Sequence, residues 1–219
     1  MTHNAHDVAI IMATYNGEKY ISDQIKSIQN QTFRDWTLYI RDDGSKDDTV
    51  KIINALSDAD KRIKIIQDEN GNIGFNRNFY ELLSKTSEEY VFFSDQDDKW
   101  LPQKLERILV AIKSSEGPDK GPTLVHCDCS VADAELAIKK KRFIGSRGRS
   151  PGLRGVLFSN CVQGSSAAIN KKLKEIVKLS KEDKDQERKI LDLIKPFRYK
   201  VIDNKILNYL SKSSCNVCN

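Results

Sequence analysis

The stretch Val8-Ala9-Ile10-Ile11-Met12-Ala13-Thr14-Tyr15-Asn16-Gly17 decides the fold class of this chain. Its first six residues are apolar, and an uninterrupted apolar run of this kind is typical of a strand buried on both faces of a parallel sheet. Polar residues and a glycine follow at once, so the strand ends in a loop. A buried parallel strand that ends in a polar loop predicts an α/β protein.

The same pattern recurs along the chain as far as Cys127. Further apolar runs predict strands at Trp36–Ile40, Ile63–Ile66, Tyr90–Phe93 and Thr123–Cys127. Between the runs, apolar residues three or four positions apart mark the buried faces of helices; they are Ile21, Ile25, Ile28, Val50, Ile53, Leu56, Phe79, Leu82, Leu83, Leu105, Ile108, Leu109 and Ile112. Alternating strands and helices predict a mainly parallel central sheet flanked by helices, with right-handed crossovers.

Polar motifs follow four of the predicted strands, each at the carboxyl end of its strand. They are Ala13-Thr14-Tyr15-Asn16-Gly17, Arg41-Asp42-Asp43-Gly44-Ser45, Asn70-Gly71-Asn72-Ile73-Gly74 and Ser94-Asp95-Gln96-Asp97-Asp98. Because the carboxyl ends of parallel strands meet at one edge of the sheet, where α/β proteins bind their ligands, we expect these four loops to form one site.

Composition bounds the class of protein. The chain has 219 residues, of which 39% are hydrophobic and 31% are charged, and this suits one packed domain. The formal net charge of +5 comes from a local excess of Lys and Arg between Lys139 and Arg154, which does not favour nucleic-acid binding. The sequence predicts neither a signal peptide nor a membrane-spanning run. Five cysteines, an odd count, favour a reducing cytoplasm.

The cluster Asp95-Gln96-Asp97-Asp98 is the most informative motif. Three carboxylates in four positions repel one another unless a cation neutralises them, and burial beside a hydrophobic strand strengthens the repulsion. Carboxylate oxygens suit Mg²⁺ or Mn²⁺, which keep open positions for phosphate oxygens. The alternative is that Asp98 caps the helix around Pro102–Ile112 and the other carboxylates are solvated. Capping would explain one aspartate, not three.

The other loops are ambiguous when each is taken alone. Asp42-Asp43-Gly44-Ser45 fits an ordinary turn, but a carboxylate at a strand end can also accept the ring N–H of a pyrimidine or bind a ribose hydroxyl. Arg77 lies on the following helix. It could bind a phosphate group through its guanidinium, or it could equally well be an ordinary exposed helical residue. Lys171–Leu193 reads as a charged helix, and Tyr199–Ile202 as a late strand.

Taken together, the motifs resemble those of family 2 glycosyltransferases, and especially the bacterial rhamnosyltransferase-like branch. The resemblance rests on Ala-Thr-Tyr-Asn at 13–16, Asp-Asp-Gly-Ser at 42–45 with Asp48 and Thr49, Asn-x-Gly-x-x-x-Asn-Phe at 72–79, and Asp-x-Asp-Asp at 95–98 followed by Trp100, Pro102 and Lys104-Leu105. It implies the GT-A fold and an inverting, metal-dependent hexosyltransferase. It also implies one domain over 1–219, with a nucleotide-sugar-binding half at 1–128 and an acceptor-binding half at 129–219.

The resemblance also implies roles for single residues. A nucleotide-sugar pocket would be lined by Ala13, Thr14, Tyr15, Asn16, Asp42, Asp43, Arg77, Asp95 and Gln96. Within it, Asp43 would contact uracil or thymine, Arg77 would approach the donor, and Asp95 would face the ribose. Asp97, with Asp95, would ligate Mg²⁺ or Mn²⁺. Gly164 would let the backbone approach the sugars closely.

The catalytic base is the weakest part of the resemblance. Inversion needs a carboxylate that removes a proton from the acceptor hydroxyl, and the branch carries it in a His-Asp-Trp-Trp-like segment. Residues 181–188 read Lys-Glu-Asp-Lys-Asp-Gln-Glu-Arg, without His or Trp. Alignment on Val201-Ile202-Asp203 places Asp185 at the base position, and Asp183 is the alternative. A solvated helix face is a third interpretation of this charge run.

The predicted function is therefore transfer of a sugar from a UDP- or dTDP-sugar to a saccharide acceptor, which the resemblance implies is a lipid-linked chain in bacterial surface polysaccharide synthesis. The alternative is a degenerate, non-catalytic nucleotide-sugar-binding protein, because Leu210 replaces an expected Arg and no His follows Asn208. A phospho-accepting receiver domain would leave residues 130–219 unexplained. We expect a cytoplasmic protein that binds no nucleic acid. Its basic segment Lys139–Arg154 is either a peripheral contact with the inner face of the cell membrane or a solvated loop.

Overall fold

The computed structural model describes residues 7–133, 135–141, 164–179, 198–202 and 208–211. The strands are β1 (Val8–Thr14), β2 (Thr37–Asp42), β3 (Ile63–Ile65), β4 (Tyr90–Ser94), β5 (Asp98–Trp100), β6 (Thr123–Cys127), β7 (Ser130–Ala132), β8 (Ile138–Lys140), β9 (Ala167–Asn170), β10 (Arg198–Ile202) and β11 (Asn208–Ser211). The helices are α1 (Ile21–Gln29), α2 (Thr49–Ala59), α3 (Phe75–Lys85), α4 (Lys104–Glu116) and α5 (Lys171–Leu179), and a 3₁₀ turn covers Gly164–Ser166.

Seven strands form the central sheet, in the order β10-β6-β9-β4-β1-β2-β3. β1 pairs in parallel with β2 and with β4, and β3 and β10 also pair in parallel with their neighbours. β9 runs antiparallel between β4 and β6. The sheet is thus mainly parallel, as predicted, and it draws strands from both sides of residue 128.

Helices cover both faces of the sheet. Successive side chains of a strand point to opposite faces, so β1 contributes to a hydrophobic core on each side. Val8, Ile10 and Met12 of β1 face a core that they share with α1, α2 and α4. Ala9 and Ile11 face the other way, toward α3 and α5. An α/β/α arrangement follows, and it explains why β1 reads as a continuous apolar run.

A smaller sheet has the order β5-β11-β7-β8. β5 and β11 pair antiparallel, with Asp98 opposite Leu210 and Trp100 opposite Asn208. The sequence patterns predicted neither this sheet nor its short strands. Its position matters because β5 begins at the last residue of the acidic cluster.

The element bounds correct several expectations. β2 extends through Arg41 and Asp42, which the patterns placed in a loop. α4 begins at Lys104 after Gln103, whereas Asp98 lies in β5, so the interpretation of Asp98 as the helix cap is wrong. The predicted helix Lys171–Leu193 is confirmed over Lys171–Leu179, and the remainder lies outside the described residues. β10 confirms the predicted late strand. Within the described part of the chain, no helix is both long enough and apolar enough to span a bilayer.

Candidate functional site

The loops that follow β1, β2 and β4 meet at the carboxyl edge of the central sheet. The Thr14 hydroxyl donates a 2.9 Å hydrogen bond to Asp42 Oδ1, and the Asp43 amide donates to the Thr14 carbonyl oxygen at 2.8 Å. The Tyr15 amide donates to Gln96 Oε1 at 2.9 Å. The structure thus brings together loops that stand up to 81 residues apart in sequence, as the strand-end pattern predicted.

Asp42 and Asn16 shape the first two of these loops. Asp42 accepts hydrogen bonds from Thr14, from the Gly44 and Ser45 amides at 3.0 and 2.7 Å, and from the Ser45 hydroxyl. Asn16 has a positive φ of 48°, a conformation that asparagine tolerates better than most residues. Its amide donates to Ser45 Oγ, and its side-chain oxygen accepts from the Lys46 amide. Asp42 and Asn16 therefore hold the pocket loops in shape.

Asp43 is buried, and Arg41 holds it in place. Arg41 Nη1 donates to Asp43 Oδ1 at 2.9 Å, while the rest of the guanidinium binds both carboxylate oxygens of Asp68. Asp43 also accepts from the Ile73 and Gly74 amides at 2.9 and 2.8 Å. A carboxylate offers about four lone-pair sites, so these bonds leave room for one further donor. Arg41 is 2% exposed, and the sequence analysis did not identify it.

Arg77 lies exposed in the first turn of α3, directly after the loop that Asp43 anchors. Its neighbour Asn78 is buried, and the Asn78 side-chain amide donates to the Arg41 carbonyl oxygen. The helix start is therefore fixed to the end of β2, and Arg77 projects from a fixed base toward solvent. The role of Arg77 as a phosphate ligand stays a prediction.

The acidic loop, Asp95–Asp98, follows β4 and enters β5. Burial and the charge of Asp97 raise the pKa of Asp95 to about 6, against the opposing effect of the Lys104 ammonium. Burial, and then the charge of Asp95, also raise the pKa of Asp98 well above its ordinary value. Both carboxylate oxygens of Asp98 are buried and have no hydrogen-bond partner among the described residues. The loop thus concentrates negative charge that the protein does not fully compensate.

Lys104 supplies a positive charge on the protein side of the loop. It is 1% exposed, its Nζ donates to the Ser165 carbonyl oxygen at 2.7 Å, and it lies 3.7 Å from the centroid of the Trp100 ring. Burial lowers the pKa of Lys104 to about 8, and the carboxylates nearby act in the opposite direction. Lys104 therefore binds the 3₁₀ turn that begins at Gly164 directly, and it acts on the acidic loop through its charge.

Gln96 lies within the acidic loop, and its side chain reaches the loop after β1. Its amide oxygen accepts from the Tyr15 amide, and its Nε2 donates to the Tyr15 carbonyl oxygen at 3.0 Å. Gly17 packs against this side chain so closely that a Cβ there would lie 2.4 Å from Gln96 Oε1. The structure shows that Gln96 joins the acidic loop to the loop after β1; its place in a nucleotide pocket stays a prediction.

A divalent cation fits the acidic loop. Partly buried carboxylates of raised pKa, such as Asp95 and Asp98, suit a hard cation because the cation offsets the cost of their negative charge. The described residues do not contain a complete set of three His, Cys, Asp or Glu ligands. A cation bound by Asp95 and Asp97 would therefore take its remaining ligands from solvent or from a ligand of the protein.

The predicted base residues, Asp185 and Asp183, lie outside the described residues, so their assignment stays a prediction. Gly164 begins the 3₁₀ turn that precedes β9, and this turn contacts β4, the strand that leads into the acidic loop. The segment that the resemblance places near the sugars is therefore adjacent to the metal-binding candidates.

Comparison with known proteins gives a consistent result. The profile described as "Glycosyl transferase family 2" matches residues 9–117, which hold β1 to β4, the strand-end loops and the acidic loop. A GalNAc(5)-diNAcBac-PP-undecaprenol beta-1,3-glucosyltransferase of Campylobacter jejuni is 36% identical over 110 residues, which cover 50% of this chain and 35% of that protein. The chain thus spans about a third of the length of this curated relative.

Solved structures share the fold at low identity. S. aureus TarS 1-349, in complex with UDP, superposes with a TM-score of 0.66 at 18% identity over 94% of this chain and 60% of that one. The mannosyltransferase PcManGT from Pyrobaculum calidifontis, in complex with GDP-Man and Mn²⁺, gives 0.63 at 14% identity over 97% and 59%. These neighbours confirm the predicted GT-A fold. Through the domain at residues 9–117, the chain belongs to glycosyl transferase family 2.

Proposed function

We propose that the chain is the catalytic part of an inverting hexosyltransferase that uses a divalent cation to transfer a sugar from a UDP- or dTDP-sugar to a saccharide acceptor. The observation that carries this proposal is the join between the acidic loop and the loop after β1, made by Gln96 and Tyr15 at the carboxyl edge of the sheet. One wall of the pocket thereby offers carboxylates, and the other offers backbone and aromatic surface. A nucleoside diphosphate bound to a cation has the complementary chemistry.

We propose that separate residues of these loops bind separate parts of the donor. Asp43 has capacity for one more donor, which suits the ring N–H of uracil or thymine. The exposed ring of Tyr15 borders the same loops, and the exposed Arg77 is free to approach a phosphate. Support for a uridine nucleotide comes from TarS, whose structure was determined with UDP.

Asp97 and Asp95 would hold Mg²⁺ or Mn²⁺, and the Mn²⁺ in the PcManGT complex supports this choice. When bound, the cation would neutralise charge that develops on the departing diphosphate. The protein contributes the placement of the carboxylates. Gln96 and Lys104 fix the loop that carries them, so that little reorganisation is needed on binding.

The transfer itself needs a general base on the acceptor side, for which we propose Asp185, with Asp183 as the alternative. The base takes the proton of the acceptor hydroxyl while the oxygen forms a bond to the anomeric carbon. The bond from that carbon to the diphosphate oxygen breaks on the opposite face, and the electron pair leaves with the nucleoside diphosphate. The result is inversion at the anomeric carbon.

The names of relatives support a class of acceptor, and the location is a further part of the proposal. The matched C. jejuni protein is named for a polyprenyl-diphosphate-linked saccharide, which supports a lipid-linked acceptor in surface polysaccharide synthesis. We propose that the protein acts in the cytoplasm at the inner face of the cell membrane. The exposed side chains of Lys140 and Lys141 would face anionic lipid head groups, whereas Lys139 already pairs with Asp133 at 2.7 Å.

Calorimetric titration with UDP, in Mn²⁺ and then in EDTA, tests donor binding, and hydrolysis of UDP- and dTDP-sugars tests turnover. We expect UDP to bind more tightly in Mn²⁺ and at least one donor to be hydrolysed. Binding without hydrolysis of any donor would favour the non-catalytic alternative. Absence of UDP binding in either condition would refute the proposal. An Asp185→Asn variant that transfers sugar normally would move the base elsewhere.

A further inference from the structure

Helix α1 presents a second buried stripe beside its apolar face. Gln24 and Ser27 lie in the helix, and Gln31 lies just beyond its end, at a spacing that brings all three to one side. Gln24 and Gln31 are fully buried, and Ser27 is 6% exposed. Buried polar side chains are stable only when they are hydrogen-bonded, so their partners show what this stripe does.

Gln24 makes its hydrogen bonds to the two ends of the acidic loop. In the amide orientation that satisfies both of its ends, Nε2 donates to the Asp98 carbonyl oxygen and to Ser27 Oγ. Its Oε1 accepts from Ser94 Oγ at 2.7 Å and from Trp100 Nε1 at 3.1 Å. Ser94 precedes the loop, Asp98 ends it, and Trp100 lies two residues later. One side chain therefore spans the base of the loop.

Ser27 completes the same arrangement. Its hydroxyl accepts from the Trp100 amide at 3.0 Å and donates to the Gln24 carbonyl oxygen at 2.7 Å. The loop is thus attached to α1 at both of its ends by bonds to backbone and side-chain groups that carry no charge. None of these bonds uses a carboxylate of the loop, so the carboxylates keep their lone pairs for other partners.

Such an attachment matters because the loop holds like charges close together. Mutual repulsion of Asp95, Asp97 and Asp98 favours conformations in which the chain opens. Closing the loop ends against a helix prevents that opening. A site whose ligands are already in place gains affinity because less ordering is needed when the ligand binds.

We propose that Gln24 is a positioning residue that holds the acidic loop closed before the cation and the nucleotide bind. The inference rests on the proposed function, because it assumes that the loop binds a cation. It concerns residues that neither the metal prediction nor the nucleotide prediction includes. Gln24 touches no candidate ligand; it acts through the backbone and side chains of Ser94, Asp98 and Trp100.

Gln31 provides the matched control. It is as buried as Gln24 and makes a similar set of bonds: its Nε2 donates to the Ser27 and Leu101 carbonyl oxygens, and its Oε1 accepts from the Leu105 amide. Ser27 lies in α1, Leu101 lies before α4 and Leu105 lies in its first turn, so none of these partners is at either end of the acidic loop. Gln24→Met and Gln31→Met each replace a buried amide with an apolar chain of similar length.

The first measurement is hydrogen exchange of backbone amides without ligand. We expect Gln24→Met to speed exchange at residues 95–100, and Gln31→Met to speed it at residues 101–105. The second is the ratio of UDP affinity in Mn²⁺ to UDP affinity in EDTA. We expect this ratio to fall about tenfold in Gln24→Met and to stay within about twofold of wild type in Gln31→Met.

A second variant tests the same hydrogen bonds in case Gln24→Met does not fold. Ser94→Ala removes only the hydroxyl that donates to Gln24 Oε1, and it should reduce the ratio in the same direction by a smaller factor. Equal reductions in the Gln24 and Gln31 variants, or an unchanged ratio in Gln24→Met, would overturn the inference. If wild type shows no Mn²⁺-dependent gain, the proposed function fails in its metal part. In that case the exchange data still report separately whether Gln24 closes the loop.

Discussion

The two aspartate groups at the carboxyl edge of the sheet have opposite surroundings. Asp42 and Asp43, after β2, accept hydrogen bonds from serine, threonine, arginine and backbone amides, and the protein itself satisfies them. Asp95 and Asp98, after β4, have raised pKa values, and Asp98 has no hydrogen-bond partner among the described residues. The difference separates carboxylates that hold neighbouring loops together from carboxylates whose charge the protein compensates only in part.

The largest expected effect comes from a substitution in the acidic loop. Asp97→Ala should lower Mn²⁺-dependent donor hydrolysis by roughly 10²–10³-fold, because it removes a ligand of the proposed cation. Initial rates at saturating donor, measured over a range of Mn²⁺ concentrations, test this. Asp58→Ala, which removes an exposed aspartate of α2, serves as the control and should retain the wild-type rate. Hydrolysis by Asp97→Ala at the wild-type rate would show that the metal assignment is wrong.

The satisfied group should instead affect stability. Asp43→Asn should lower the free energy of unfolding by about 3 kcal/mol, because it leaves the buried Arg41 without one of its charge partners. Urea unfolding at neutral pH measures the loss. Lys51→Gln breaks a pair between exposed side chains, Lys51 and Asp48, and should change stability by less than about 0.5 kcal/mol. Similar values for the two variants would contradict the distinction drawn between the groups.

Asp98→Asn should change the free energy of unfolding in the opposite direction and stabilise the protein. Because the folded protein raises the pKa of Asp98, the stability that this group contributes is complete below the unfolded pKa of about 4 and is lost as pH rises through the folded value. Asparagine cannot ionise, so without metal the variant should exceed wild type by about 1–3 kcal/mol at pH 8. Urea unfolding in EDTA at pH 8 and pH 4 tests this. The advantage should shrink at pH 4.

The smallest expected effect concerns the hydrogen bonds between Gln96 and Tyr15, which join the acidic loop to the loop after β1. Gly17→Ala places a methyl group against Gln96, which must shift away from Tyr15. Loss of one or two hydrogen bonds should weaken UDP binding by about 2- to 10-fold in Mn²⁺, as measured by calorimetry. Gly121→Ala is the control, because a Cβ there meets no atom within 4 Å. An unchanged affinity in Gly17→Ala would show that the join does not shape the pocket.

Much of the fold was predictable because its signals are local. The continuous apolar run of β1 and the helical spacing of Ile21, Ile25 and Ile28 predicted buried elements, and the structure confirms both. The second sheet was not predictable in this way. Asp98–Trp100 is a three-residue strand without alternation, and its partner Asn208–Ser211 lies more than 100 residues later.

The residues of the candidate site also fall into those that local signals predicted and those that they did not. The positions of the strand ends predicted that Thr14, Asp42 and Asp95 would lie at one edge of the sheet, and the structure has them there. Gln24, Arg41 and Lys104 were missed because polar residues are expected at the surface, and each is buried through partners that sequence order does not reveal. Gln24 reaches Ser94 across 70 positions. A polar stripe beside an apolar helical face was the available signal.

The antiparallel strand β9 has a consequence for how the chain reaches this fold. It lies between β4 and β6, so the sheet remains divided until residues 167–170 are available to pair with both. During synthesis, one edge of β4 and one edge of β6 therefore stay unpaired until β9 is made, some 40 residues after β6. These edges carry the apolar residues Val91, Phe92 and Val125. Such late, non-local closure slows folding and exposes edges that promote aggregation. A fragment ending at residue 128 would lack β9 and would therefore keep those edges open.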